Sequence, residues 1–331
     1  MRRALRTGLA VSLLAGCIVP GEGSLARFEF TESHMGTPCR VVFYAAGPGE
    51  AERARRAAFA ELAAVDERMS DYREDSEISR LSRRSGVGPV PVSEPLFEVL
   101  SAARKFSELS GGAFDVTVGP LVELWRKARR EGRLPPPEAV REALERTGWT
   151  KLVLDPAART VCLERAGMKL DVGGIAKGYA CDRALAALAR LGIRRAMVDT
   201  GGGMALGDPP PDRTGWRIQV ADQSSKVLVL ARRGVATSGD WERYVEIDGV
   251  RYSHIVDPAT GVGLTNRILV TVVAPDGMSA DALSTALSVL GPERGLRLAE
   301  DLPGVEAWMR WRENGAIRTA QTSGFAALLE P

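Results

Sequence analysis

The run Lys169-Leu170-Asp171-Val172-Gly173-Gly174-Ile175-Ala176-Lys177-Gly178-Tyr179 decides how this chain is read. Its first three residues are a short strand candidate, two glycines break the chain, and Gly174 to Leu191 predicts a long helix. Upstream, the signals are mainly helical once a β-rich segment from Arg27 to Tyr44 has passed. Helices are expected from Gly49 to Met69, from a cap at Ser93 to the Gly111-Gly112 stop, from Gly119 to Arg130, and from Pro135-Pro136-Pro137 to about Thr147. Beyond Trp149 short strands dominate: Lys151 to Leu154, Thr160 to Glu164, Lys169 to Asp171, Ala196 to Thr200, Trp216 to Val220, Val227 to Leu230, Tyr244 to Ile247, Tyr252 to Ile255 and Leu269 to Ala274. Two helices, Ala280 to Leu290 and Pro292 to Glu300, precede a terminal strand pair. Helices early and strands late predict an α+β fold with mixed, largely antiparallel sheets and packed helices, and not a strict βαβ alternation.

With 331 residues, 45% of them hydrophobic, the chain is long enough to bury a sizeable core. Arg2, Arg3 and Arg6 precede an apolar stretch from Leu9 to Leu14, and Leu14-Ala15-Gly16-Cys17 follows. That order describes a secretory signal ending at small residues before a cysteine, and the tetrapeptide resembles a bacterial lipobox. The expectation is a signal peptide over 1–16, lipidation at Cys17, a linker over 17–26 and a single catalytic unit over 27–331. An ordinary cleaved signal with a coincidental cysteine is the plainer alternative. Loss of the three arginines moves the formal charge from +2 to −1, which argues against nucleic acid as a partner. The other cysteines, Cys39, Cys162 and Cys181, show no metal or disulfide spacing, and His34 and His254 are the only histidines. A metal here must therefore be held by oxygen.

Four segments carry chemistry. Gly173-Gly174 at a strand-to-helix junction lets backbone approach an anion, the helix start offers free N–H groups, and Lys177 adds charge; a glycine-rich turn with a surface lysine fits the same pattern. Asp281 and Thr285 lie four apart near a helix start, with Ser284 beside them. One carboxylate and a hydroxyl suit magnesium, although a capping aspartate with a packed threonine has the same spelling. His254, in Tyr252-Ser253-His254-Ile255-Val256-Asp257-Pro258, is placed to act as a base or to position a hydroxyl, or simply to pack. Thr200-Gly201-Gly202-Gly203 marks a place where backbone passes close to a ligand or a neighbouring strand.

These segments occur in order with Met35-Gly36-Thr37, Met69-Ser70-Asp71-Tyr72, Ser76-Glu77-Ile78-Ser79-Arg80, Gly112-Ala113-Phe114-Asp115-Val116-Thr117-Val118-Gly119-Pro120-Leu121 and Ala236-Thr237-Ser238-Gly239. Together they resemble the ApbE family of FAD:protein FMN transferases, from about residue 28 to the C-terminus. The resemblance implies an ApbE-like, T-fold-like α+β unit in a lipoprotein of the bacterial cell envelope. It also implies magnesium dependence, FAD as substrate, and transfer of FMN to a threonine or serine of an exported or membrane-bound FMN-binding-domain protein, with AMP released. Carried onto this sequence, the flavin-nucleotide contacts fall on Met35, Tyr72, Phe114, Asp115, Val116, Thr117, Asp171, Lys177, His254 and Ile255. The magnesium positions fall on Asp281, Ser284, Thr285 and the carbonyl of Gly174. His254 and Lys177 take catalytic roles, and Asp257 is expected to orient His254. Where the family commonly has Ser-Ala before Ile-Ala-Lys-Gly, this chain has Gly173-Gly174, a change that keeps a carbonyl ligand. Tyr72 is expected to stack on a ring of the ligand, unless it is an ordinary core aromatic. An FAD pyrophosphatase and a non-catalytic FAD-binding lipoprotein remain as alternatives; the first shares the same metal site, and the second has less reason to keep a metal site beside a candidate base.

Overall fold

A hairpin of two nine-residue strands, β1 (Ala26–His34) and β2 (Thr37–Ala45), starts the described chain. The computed structural model describes residues 25–220, 226–239 and 244–330, so the signal segment and Cys17 lie outside it. Period-two alternation along β2 sends Val41 and Phe43 into one apolar cluster and Val42 into another, so this strand is buried on both faces. Next come α1 (Pro48–Met69), α2 (Glu77–Arg83), β3 (Val90–Pro91), α3 (Glu94–Leu109), α4 (Gly119–Glu131), α5 (Pro137–Glu145), β4 (Leu152–Asp155) and β5 (Thr160–Leu163). The later half runs through α6 (Ala176–Arg190), β6 (Ala196–Asp199), β7 (Gly203–Leu206), β8 (Trp216–Gln219), β9 (Val227–Leu230), β10 (Arg233–Gly239), β11 (Tyr244–Ile247) and β12 (Val250–Ser253). It ends with β13 (Leu269–Ala274), α7 (Gly277–Glu300), β14 (Glu306–Glu313) and β15 (Ala316–Gln321).

Eight strands form one antiparallel sheet in the order β1-β2-β6-β7-β10-β13-β14-β15. Because β2 pairs with β6, the early hairpin is the continuation of the late sheet, and the two halves of the chain are one α+β domain as expected. On one face α1, α6 and α7 bury Leu62, Ala180, Ala184 and Ala286 against β2 and its neighbours. The other face is covered by the β8–β9 ribbon and Phe325, around Trp308. Strand β13 repeats the alternation: Leu269 and Val273 face that second cluster, while Val270, Val272 and Ala274 face α7.

Most helix expectations hold. Ser93 caps α3, its hydroxyl accepting from the Leu96 N–H at 3.4 Å. Helix α7 is broken at Gly291 (φ 73°, ψ 178°) before Pro292, which makes it the two helices that the sequence announces. Three readings change. Lys169 to Asp171 is no strand; Lys169 makes one isolated parallel bridge to Val118. Strands β7 and β10 are absent from the expectation because Gly203, Gly234, Thr237, Ser238 and Gly239 dilute the β-forming signal. Helix α2, seven residues long, is too short to display a period.

Candidate functional site

Two helix starts meet at the centre of the site. Helix α6 has no side-chain cap of its own, and Asp281 of α7 accepts from its Gly178 N–H at 3.0 Å. Asp182 of α6 returns the arrangement, accepting from the Gly277 and Met278 N–H groups at 2.8 Å each. Each helix thus supplies the carboxylate that satisfies the other's first turn, where backbone donors lack partners. This requires close approach: a Cβ on Gly178 would stand 2.0 Å from the Gly277 carbonyl oxygen, and one on Gly277 would stand 2.8 Å from the Gly178 oxygen. Burial pushes the Asp182 carboxyl up to about 7 against the pull of those two N–H groups. Burial also raises Asp281, opposed by Lys177 and by the backbone N–H donors.

A cavity of about 1220 Å³ opens over this junction. Of the sequence-predicted site residues, Met35, Tyr72, Phe114, Asp115, Asp171, Gly174, Lys177, His254, Ile255, Asp281 and Thr285 all line it. Thr285 lies one turn after Asp281, and its hydroxyl oxygen stands 2.9 Å from where a Gly174 Cβ would be, so the hydroxyl lies beside Gly174. Lys177 reaches over Gly202, whose absent side chain leaves that space: a Cβ there would stand 2.9 Å from Nζ. The run Thr200 to Gly203 therefore serves a close backbone approach to Lys177 and Gly178. Met35 sits in the β1–β2 turn at φ 51°, followed by Gly36 at φ 70°, and its N–H donates to Asp66 at 3.0 Å. A methionine in that region is strained, and the Asp66 bond helps to hold it at the cavity wall.

Other predicted residues act as framework. Thr117 and Val116 are buried off the cavity. Asp115 accepts from the Thr117 N–H and hydroxyl at 2.7 Å each and from the Trp149 N–H at 2.9 Å, while the Thr117 hydroxyl oxygen accepts from the Gly148 N–H at 2.7 Å. These bonds fix the loop that presents Phe114, and burial raises the Asp115 carboxyl against them. Ser284 is fully buried, donating to the Asp281 carbonyl at 2.9 Å with its oxygen 2.7 Å from that of Ser238, and it does not line the cavity. Asp257 accepts from the Ala259 N–H at 2.9 Å and from the Thr260 hydroxyl at 3.0 Å; both oxygens are engaged within its own turn, a structural use of the residue. His254 follows β12 and meets the cavity between Ser253, whose hydroxyl oxygen accepts from the Ile255 N–H at 3.0 Å, and the turn that Asp257 caps.

Tyr72 is no core aromatic, being 78% exposed at the rim of the cavity. Arg126 of α4 lies over its ring at 4.1 Å and pairs with Asp71 at 2.5 Å and Asp171 at 3.1 Å. Burial and the neighbouring Asp71 push the Asp171 carboxyl up, and Arg126 opposes them. Arg126 and Asp182 escape a sequence reading because their partners lie 45 to 96 positions away. Ser238, by contrast, lies in the Ala236-Thr237-Ser238-Gly239 motif, to which the resemblance gives no role. Among the described residues no group of three or more His, Cys, Asp or Glu side chains is set to hold a metal, so an ion here would rest on a mixed oxygen set.

Residues 35–309 match the model of the ApbE family. An FAD:protein FMN transferase of Treponema pallidum (strain Nichols) is 36% identical over 324 residues, covering 91% of this chain and 90% of the relative. One from Vibrio cholerae serotype O1 is 36% identical over 311 residues, covering 91% of each. Among solved structures, a flavin transferase ApbE from Vibrio cholerae superposes with a TM-score of 0.83 at 32% identity, over 92% of this chain and 100% of that one. The apo form of a Pseudomonas stutzeri flavinyl transferase ApbE gives 0.82 at 33% identity, over 93% and 98%.

Proposed function

The chain belongs to the ApbE family, and from that premise we propose that it is a flavin transferase that moves FMN from FAD to a threonine or serine hydroxyl of another protein and releases AMP. The observation that carries this reading is the convergence of Asp281, Thr285, Gly174, Lys177 and His254, from three separate segments, on one cavity large enough for a dinucleotide. Magnesium fits the residues present. Asp281 is a buried carboxylate whose described hydrogen bonds come only from backbone N–H groups, and the Thr285 hydroxyl lies beside Gly174 in the same cavity. Asp281, Thr285 and the Gly174 carbonyl would hold the ion, while the Ser284 hydroxyl donates to the Asp281 backbone carbonyl. Bound there, magnesium would supply charge stabilisation at the pyrophosphate.

The chain's own residues do the rest. Lys177 and the positive end of the α6 dipole attract the pyrophosphate and stabilise the charge that builds on the transferred phosphoryl. The acceptor hydroxyl oxygen bonds to the FMN-side phosphorus, the bond from that phosphorus to the bridging oxygen breaks, and the bridging oxygen leaves with AMP. His254 takes or orients the hydroxyl proton. The acceptor is an exported or membrane-bound FMN-binding domain, and lipidation at Cys17 would keep the enzyme in the cell envelope beside it.

The test is to incubate the protein from Ser24 onward with FAD, Mg²⁺ and an exported FMN-binding domain, and to take intact masses. One covalent FMN on the acceptor, lost on chelation, is the expected result. Free FMN and AMP with an unmodified acceptor would make the protein a pyrophosphatase, and FAD recovered whole would make it a binder.

A further inference from the structure

An aromatic ring left 78% exposed gains little from packing on its own protein, and something must hold it in place. Tyr72 lies in a turn between α1 and α2, closed by the Arg73 N–H donating to the Ser70 carbonyl at 3.3 Å. No helix or strand fixes it. What reaches it is Arg126, from the middle of α4, whose neighbour Trp125 anchors the helix by donating to the Gly261 carbonyl at 2.8 Å. The guanidinium is planar and offers a fork of donors, so it can cover the ring with its face while its edges bind two carboxylates. Asp71 is the residue just before the ring, and Asp171 begins the glycine loop before α6. One side chain therefore ties the Tyr72 turn, α4 and the Asp171 loop together. The three charged groups are only 23%, 25% and 14% exposed, which limits screening.

We propose that Arg126 is a positioning residue for FAD: it holds the Tyr72 ring and the Asp171 carboxylate in register as two walls of one nucleotide site. It also neutralises part of the charge of two carboxylates that face a cavity meant for an anion. The inference rests on the FAD reading above and adds the residue that organises the rim. A lysine can keep a cation over the ring and one ion pair, but it cannot bridge two carboxylates with a rigid fork.

The experiment measures FAD affinity directly by flavin fluorescence on the folded protein, alongside steady-state transfer. Arg126→Met is expected to raise the Kd and KM for FAD about tenfold with kcat within about twofold, and Arg126→Lys to fall between it and wild type. Tyr72→Ala is expected to weaken FAD comparably, and adding Arg126→Met to it should cost much less than in the wild-type background, since the arginine acts through the ring. Unchanged affinity in Arg126→Met overturns the proposal, as do fully additive effects. If Arg126→Met does not fold, Arg126→Lys alone decides, because wild-type affinity in it removes the need for the fork. Wild-type protein that binds FAD without transferring FMN would defeat the function and leave this inference standing on Kd; variants that match wild type while transfer proceeds would do the reverse. Wild-type protein that fails to bind FAD overturns both.

Discussion

The inner corner of the cavity and its outer rim are built by opposite means. At the corner, the starts of α6 and α7 touch through backbone, and each helix lends the other a capping carboxylate. Nothing larger than glycine fits at Gly178, and Asp281 is buried. At the rim, an exposed ring and two carboxylates are held by the long side chain of Arg126. The corner is fixed by a backbone contact that leaves no room for a side chain at Gly178, which suits a place where charge must be met at a set position. The rim is fixed by electrostatics and can yield, which suits a wall that closes on a ligand.

If that contrast is right, damage at the corner is severe and of two separable kinds. Asp281→Asn keeps the shape and one acceptor for the Gly178 N–H but removes the charge, so transfer should fall at least about a hundredfold while the unfolding midpoint stays close to wild type. Near-normal transfer in that variant would remove Asp281 from the metal set. Gly178→Ala does the opposite kind of harm, forcing apart two backbones that a Cβ would meet at 2.0 Å. A loss of about 3 kcal/mol or more in denaturant unfolding is expected, and a folded, stable alanine variant would show that the helix starts can separate.

The corner also predicts a pH dependence. The fold raises the Asp182 carboxyl from an ordinary 3.8 to about 7, so between those values the native state holds a proton that the unfolded chain has lost. Stability from this group is fully present below about 4 and is lost as pH rises towards about 7. Asp115 and Asp281, also raised by burial, act in the same direction. Asp182→Asn should flatten the decline in Tm between pH 4.5 and pH 7 measured by calorimetry; an unaltered slope would mean that Asp182 is ionised throughout.

The same contrast explains what was legible. The corner is spelled in short local patterns: paired glycines before Lys177, and an aspartate one turn before a threonine at a helix start. The spacing of Asp281 and Thr285 put both on one helix face, and the structure places both in the cavity. The rim is spelled in an arginine among the many of α4, with partners 45 and 55 positions away, so no local pattern could mark it. Strands β7 and β10 were hidden for a related reason, since the glycines and hydroxyl residues that let Gly203 and Ser238 approach the helices weaken the pattern that identifies a strand. Asp257 carries a further use that its motif does not announce, since its carboxylate accepts two hydrogen bonds within its own turn.

The smallest expected effect tests what the rim wants from Tyr72. Its hydroxyl makes no hydrogen bond among the described residues, while its ring carries the contact with Arg126. Phenylalanine keeps the ring face that a guanidinium and a flavin or adenine ring can share, and loses only the hydroxyl. Tyr72→Phe should therefore change the Kd for FAD by less than about twofold, against about tenfold for Tyr72→Ala, in fluorescence titrations at one ionic strength. A large loss in the phenylalanine variant would mean that the hydroxyl itself meets the ligand, and the rim would then recognise FAD by hydrogen bonding in addition to stacking.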